Sequence, residues 1–363
     1  MTIPERITAL RQAMDAKGID AYLVKDVDPH QSEYVATYWQ SRTWLCGFDG
    51  SAGTLVVTKD QALLWTDSRY FIQAEQQLVG TGIELMRLRV PHTPEYRHWL
   101  VANLREGQVV GMDGSVMSVS IAEGLERAIQ EIGGSCELRY DLLAEIWPDR
   151  PSIPSTTPYQ HPLEFVGAEK TKKLGQLQHV LREEGLAHYL VIGLDEIAWL
   201  LNIRAADVAY NPLCLSYLLV QPTGAVWFVG VHRVPDDLKA LLKEAGVQLA
   251  DYQDLPAELM RINATDEPIG MDTQMASVAV YQAAGGPRVQ KIQSPISIWK
   301  AIKGAKEVDH YYRAMARDGV ALLRLRRWLT AEAAPKGKSE AEIGDKLASF
   351  RAEQDFYHGE SFP

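Results

Sequence analysis

The sequence predicts an α/β protein built from two tandem copies of one domain, followed by the first helices of a third. Three observations predict it. Short β-rich runs alternate with amphipathic helical stretches, the pattern of a sheet layered with helices. The same landmarks recur in the same order in the second half of the chain, at a slowly shrinking spacing. Strand signals stop near residue 293, beyond which only helical periodicity continues. The 363 residues suit two domains of about 150 residues plus a further piece.

Taken in order, Pro4 suits a first helical turn, where its missing N–H costs nothing. Ile7, Leu10 and Met14 make one apolar stripe, and Gly18 ends the helix. Ala21-Tyr22-Leu23-Val24 reads as a short buried strand. Thr54 to Thr58 and Ala62 to Thr66, joined by Lys59-Asp60-Gln61, read as a hairpin. Arg69 to Leu78 returns to helix, and the alternation runs on to about Cys136. Pro148, Pro151, Pro154, Pro158 and Pro162 then crowd a stretch without periodicity. Proline interrupts both ladders and helices, so residues 148–163 are a linker. This bounds a first domain at 1–150 and a second at 160–293.

The second domain repeats the first. Leu174, Leu177 and Leu181 restate the stripe of Ile7, Leu10 and Met14, Gly185 restates Gly18, and Tyr189-Leu190-Val191 restates Tyr22-Leu23-Val24, all 167 residues on. Ala225 to Val229 matches Ala62 to Thr66 at a spacing of 163. Ile269-Gly270-Met271-Asp272 matches Val110-Gly111-Met112-Asp113 at 159, the drift that loop deletions produce. From Pro295 strands disappear. Val308, Tyr311, Tyr312, Met315, Leu322 and Leu329 mark a long helix that Pro335-Lys336-Gly337-Lys338 breaks. Ser339 with Glu342 is a capping box that opens another helix, to about Glu353. Two helices without a sheet make no domain, so 295–363 reads as the truncated start of a third.

Composition removes several functions. Nine Trp and fifteen Tyr supply enough buriable area to exclude disorder. A formal net charge of −10 argues against a nucleic-acid coat. Three scattered cysteines, Cys46, Cys136 and Cys214, form no CxxC pair, which argues against structural zinc and for a reducing compartment. The N-terminus has no apolar signal region and no run of 18 apolar residues occurs, so the cytoplasm is expected and no membrane partner.

No short catalytic motif is complete. Gly50-Ser51-Ala52-Gly53 lacks nucleophile-elbow spacing and reads as a turn feeding the next strand. His358-Gly359-Glu360 lacks the second half of a zinc deaminase signature. Arg313, Arg317, Arg324, Arg326 and Arg327 read as a solvated helix face, and His30 as a loop hydrogen bonder. Two segments stand out. In Trp65-Thr66-Asp67-Ser68-Arg69-Tyr70-Phe71, Asp67 or Ser68 could cap the helix. Arg69 would then sit at the helix's positive end, where a cation is disfavoured unless an anion pairs with it. That anion is either a carboxylate such as Asp67 or Glu75 or a substrate terminus. In residues 194–204, Asp195 is a plausible cap and Ile197, Leu200 and Leu201 a core stripe.

At these segments the chain resembles the three-domain Xaa-Pro aminopeptidases of the creatinase/prolidase metallopeptidase superfamily. The resemblance rests on His30-Gln31-Ser32-Glu33-Tyr34, on Gly47-Phe48-Asp49-Gly50-Ser51-Ala52-Gly53-Thr54, and on the Trp65 to Phe71 segment. It continues through Trp147-Pro148-Asp149-Arg150-Pro151, residues 194–204, Asp207-Val208, Asn211-Pro212, Lys300-Ala301-Ile302-Lys303 and Ser361-Phe362-Pro363, in family order. Ala205 departs from it, where relatives often carry Gly.

The resemblance implies two creatinase-type N-terminal domains, each a mixed sheet with flanking helices, before a truncated pita-bread domain. It implies release of the residue preceding a proline, so the partner is a peptide with proline at its second position. It also implies two divalent metal ions, usually manganese, and a homodimer of the complete enzyme. In relatives every metal ligand lies beyond the Ser-Phe-Pro block, so no metal or catalytic residue is expected in this chain, which should be inactive alone. Only Arg69 carries over, as a substrate-binding residue. The alternatives are a related hydrolase of non-peptide C–N bonds, or a metal-free peptide- or protein-binding module.

Overall fold

The structure, a computed structural model, describes residues 1–91, 93–333 and 337–362. Pro335 and Lys336, expected to break the long helix, and the terminal Pro363 lie outside the described residues.

The first helix, Ile3–Lys17, opens on a capping box between Thr2 and Glu5, and Gly18 closes it at φ 68°. That left-handed closure favours glycine. The first sheet comprises β1 (Ala21–Lys25), β2 (Thr54–Thr58), β3 (Ala62–Thr66), β4 (Glu84–Arg87), β5 (Val109–Met112) and β6 (Ser135–Glu137), in the order β4-β3-β2-β1-β5-β6. Only β2 runs antiparallel to its neighbours. Side chains alternate across the pleat. Tyr22 and Val24 face a core with Ile7, Leu10 and Met14, whereas Ala21 and Leu23 face one with Leu100, Leu125 and Ile129. Both sheet faces are therefore buried, as parallel strands require.

In the linker, β7 (Tyr159–Gln160) pairs with β9 (Ile203–Arg204) as a small two-stranded ribbon. The second sheet comprises β8 (His188–Val191), β10 (Tyr217–Gln221), β11 (Gly224–Phe228), β12 (Val247–Ala250), β13 (Ile269–Met271) and β14 (Gln290–Lys291). Its order, β12-β11-β10-β8-β13-β14, is that of the first sheet. The register is repeated too. Tyr22 pairs with Gly111 as Tyr189 pairs with Gly270, and Leu23 with Val56 as Leu190 with Leu219.

The copies meet about a local twofold axis. Val119 N–H donates to the Ala276 carbonyl at 2.9 Å and Val278 N–H to the Met117 carbonyl at 2.9 Å. Ser120 N–H donates to Thr273 at 3.2 Å as Ala279 N–H donates to Gly114 at 3.0 Å. Each bond is the other's counterpart at the 159-residue spacing, and Ser118 and Ser277 bridge across the axis. The contact is isologous, like a homodimer interface within one chain. The repeated Asp sets it up. Asp113 accepts from Ser115 N–H at 2.8 Å and Asp272 from Gln274 N–H at 2.9 Å, turning each chain toward the axis.

After β14 the described residues hold only helices: Ile296–Ala301, Ala305–Trp328 with a π-turn to Ala333, and Glu340–Ala352. The Ser339 capping box is present. Of the expected apolar positions of the long helix, Leu329 packs into a small cluster with Trp328, Ile343 and Leu347, and the others are largely exposed. Tyr312 and Met315 are exposed, and only Ala321 and Leu325 bury, against Phe350.

Candidate functional site

The carboxyl ends of β1, β3 and β4 share one edge of the first sheet, where open α/β folds take ligands. A crevice of about 470 Å³ opens there, lined by residues 25–27, 51–54 and 65–67 with Leu88, Tyr96 and Ile121. One wall is the 47–54 loop, held by Arg42. This buried guanidinium donates to the carbonyls of Phe48 at 2.8 Å and Gly50 at 2.7 Å, and to Asp26 at 2.6 Å. Asp26 in turn accepts from Arg42 N–H at 2.7 Å and the Thr43 hydroxyl at 2.7 Å. A Cβ at Gly53 would lie 3.0 Å from the Arg42 guanidinium, and one at Gly50 would strike the Phe48 ring at 2.3 Å. The loop's glycines follow from these close approaches.

Arg69 stands beside the crevice without lining it; its partner Asp67 does line it. Arg69 donates to Asp67 through Nε at 2.9 Å and Nη2 at 2.8 Å. These hydrogen bonds raise the guanidinium pKa above its ordinary value. Asp67 is buried and the Arg69 side chain is 59% exposed, so the remaining N–H donors face water. The helix expected from Arg69 begins instead at Phe71, capped by no side chain. Asp67 is the reason: it accepts from Arg69 N–H at 3.1 Å, and Tyr70 N–H bonds its carbonyl at 3.0 Å, which makes a tight turn first. Of the two carboxylates considered, Asp67 takes the pair, while Glu75 pairs with Arg87.

Other singled-out residues have partners within the chain. His30 is buried and crosses the domain boundary, with Nδ1 2.9 Å from the Ile192 carbonyl and Nε2 2.9 Å from the Tyr252 hydroxyl. Asp195 does not cap its helix, whose N-cap is Gly193; it pairs with Lys300. Glu360 is taken by Arg351 at 2.9 Å and the Tyr357 hydroxyl at 2.7 Å. Arg313 and Arg324 pair with Asp309 and Glu353 on the surface. Sequence reasoning missed two groups. Asp207 and Arg233 form a buried pair at 2.5 Å that also holds Thr156 of the linker. Lys25 projects at the crevice from the end of β1. Laying the repeat copies side by side shows the signal, because the position 167 residues on from Lys25 is Ile192.

The second domain has a counterpart crevice of about 450 Å³, with Leu215 and Gly230 where the first has Ala52 and Asp67. Its wall includes Ile153-Pro154-Ser155 of the linker.

Among the described residues, no three His, Cys, Asp or Glu side chains gather as metal ligands would, and no helix is long and apolar enough to cross a membrane.

Comparison with known proteins matches the chain twice to the creatinase/prolidase N-terminal domain, at residues 6–138 and 149–307. Aminopeptidase P2 of Arabidopsis thaliana is 34% identical, over 100% of this chain and 56% of the relative. Xaa-Pro aminopeptidase ApepP of Drosophila melanogaster is 36% identical, over 98% of this chain and 60% of the relative. The crystal structure of X-prolyl aminopeptidase from Caenorhabditis elegans, described as a cytosolic enzyme with a di-nuclear active site, matches at a TM-score of 0.92 and 29% identity. That match covers 100% of this chain and 62% of that one, so the chain spans roughly three fifths of the proteins it resembles.

Proposed function

We propose, on the premise that this chain belongs to the creatinase/prolidase family and aligns throughout with Xaa-Pro aminopeptidases, that it forms the paired N-terminal domains of such an aminopeptidase. The reaction is hydrolysis of the bond between an N-terminal residue and a following proline. The observation that carries this reading is the full-chain likeness to the C. elegans enzyme. The residues described do not fit a di-nuclear metal centre, so no hydrolytic step is assigned to them. We place the two metal ions, manganese by resemblance, on residues outside this chain, and expect the chain alone to be inactive. We also assign the enzyme to the cytoplasm, as a homodimer without nucleic-acid or membrane partners, in keeping with its net charge of −10.

The chain's own contribution is to hold the peptide. Asp67 fixes one edge of the Arg69 fork, which leaves the other N–H donors for a peptide carbonyl or carboxylate. Fixing the guanidinium in advance lowers the entropy lost on binding. The test compares this chain, and a protein extended to the length of its relatives, on an Xaa-Pro peptide with manganese. Cleavage is expected from the extended protein only. In that protein Arg69→Ala should lower kcat/KM by a factor worth about 1–3 kcal/mol, with Arg69→Lys only partly restoring it. Turnover by the chain alone would sink the assignment of metal and catalysis elsewhere. A lower melting temperature with normal kinetics would make Arg69 structural.

A further inference from the structure

The charges that line the first-domain crevice are not equally satisfied. Asp26 is committed to Arg42 and Asp67 to Arg69. Lys25 is half-buried, and its ammonium makes no ion pair or hydrogen bond among the described residues. Burial, with the nearby Arg42 charge, lowers the pKa of Lys25 below the ordinary lysine value. A cation held partly out of water without a counter-charge is unfavourable.

The fold does not ask for that cation. At the equivalent position of the second copy stands Ile192, 2% exposed and packed in the core. The remaining wall of the first crevice mixes apolar Trp65, Leu88, Tyr96 and Ile121 with polar Gln31, Ser32, Ser51 and Thr93. The second crevice, built on the same strand ends, is lined in part by a peptide segment of this same chain, Ile153-Pro154-Ser155. That segment is anchored next door, where Thr156 N–H donates to Asp207 at 2.9 Å and Arg233 donates to the Thr156 carbonyl at 3.0 Å. The edge of this sheet type therefore accommodates a proline-bearing peptide. The first crevice is edged in the same way by Thr93-Pro94 of this chain, but where the cation of the second, Arg233, is paired with Asp207, Lys25 has no carboxylate partner among the described residues.

We propose that the first-domain crevice binds the carboxyl-terminal end of a short peptide. The terminal carboxylate sits on the Lys25 ammonium and an apolar side chain rests against Trp65 and Tyr96. The inference deepens the aminopeptidase reading, on which it rests for the source of the peptide.

The test is calorimetric titration of the 363-residue chain with the tripeptide Ala-Pro-Leu, its C-terminal amide, acetate and inorganic phosphate. The free acid should bind at least tenfold more tightly than the amide and than either small anion. Lys25→Ile, which copies the second domain and so suits the fold, should erase the difference between acid and amide. Lys25→Arg should keep it, as should Lys239→Met on the surface of the second domain. Melting curves verify that each variant is folded. Equal binding of acid and amide, no binding of the acid, or a difference that survives Lys25→Ile would overturn the proposal. Phosphate or acetate binding as tightly as the peptide would also overturn it, in favour of a small-anion site. Cleavage of Xaa-Pro peptides by the extended protein, with no acid–amide difference here, defeats the crevice alone. The stated binding without cleavage defeats the aminopeptidase reading alone.

Discussion

Glu196→Gln should stabilise the second domain at pH 8 and leave it unchanged at pH 4. Glu196 lies in the helix Leu194–Leu201 and is only 6% exposed. Burial raises its pKa from 4.5 to about 7; Asp195 and Asp272 add to the rise, while the Ser294 hydroxyl and Lys300 oppose it. A pKa raised by folding means that the folded state prefers the protonated acid. That preference is fully present below 4.5 and is lost as pH rises through about 7. At 1.36 kcal/mol per unit, the ionised carboxylate is worse for the folded state by about 3 kcal/mol above that range. Glutamine has the shape of the protonated acid and cannot ionise, so the variant escapes this loss. Urea unfolding of parent and variant, followed at half-unit steps from pH 4 to 8.5, isolates the residue because other titrations cancel in the difference. The variant's advantage should grow from zero to about 3 kcal/mol, or roughly 6–12 °C in melting temperature for a domain of this size. A difference that stays flat across that range, or favours the parent at high pH, would refute the reasoning.

Two other perturbations probe the joints. Asp207→Asn leaves the Arg233 charge buried without its partner and loosens the Thr156 anchor, so stability should fall by about 3–5 kcal/mol. Proteolytic cutting of the 148–163 linker should accelerate with it, and an unchanged rate of cutting would show that the anchor lies elsewhere. His30 is held neutral, its pKa lowered by burial against the opposing pull of Asp28. Its contribution is therefore complete above about pH 6.5 and declines as pH falls below that, the reverse of Glu196. His30→Ala should remove this acid-side dependence and weaken the contact between domains by about 1–3 kcal/mol, read by denaturant titration at pH 5 and pH 7.5.

The sequence by itself determined the repeat. Drifting spacings of 167, 163 and 159 predicted one topology twice, and the two sheets share order and register. It determined these things because strand periodicity and the turn chemistry of Gly18 and Asp113 are local, set by residues within a few positions. The 47–54 loop was legible as a motif, but its reason was not, since Arg42 must fold under it before its glycines make sense. Only the tertiary structure decided the twofold contact at Ser118 and Ser277, which joins segments 159 residues apart. It alone decided which carboxylate Arg69 takes, because Asp67 and Glu75 were equally available along the chain. In the long helix it decided which positions pack within this chain, burying Ala321 and Leu325 against Phe350 and leaving Tyr312 and Met315 exposed. Lys25 stands between the two cases. Its place at a strand end is written in the sequence, but a charge becomes unpaired only when the neighbours that could neutralise it have been assigned to other partners in space.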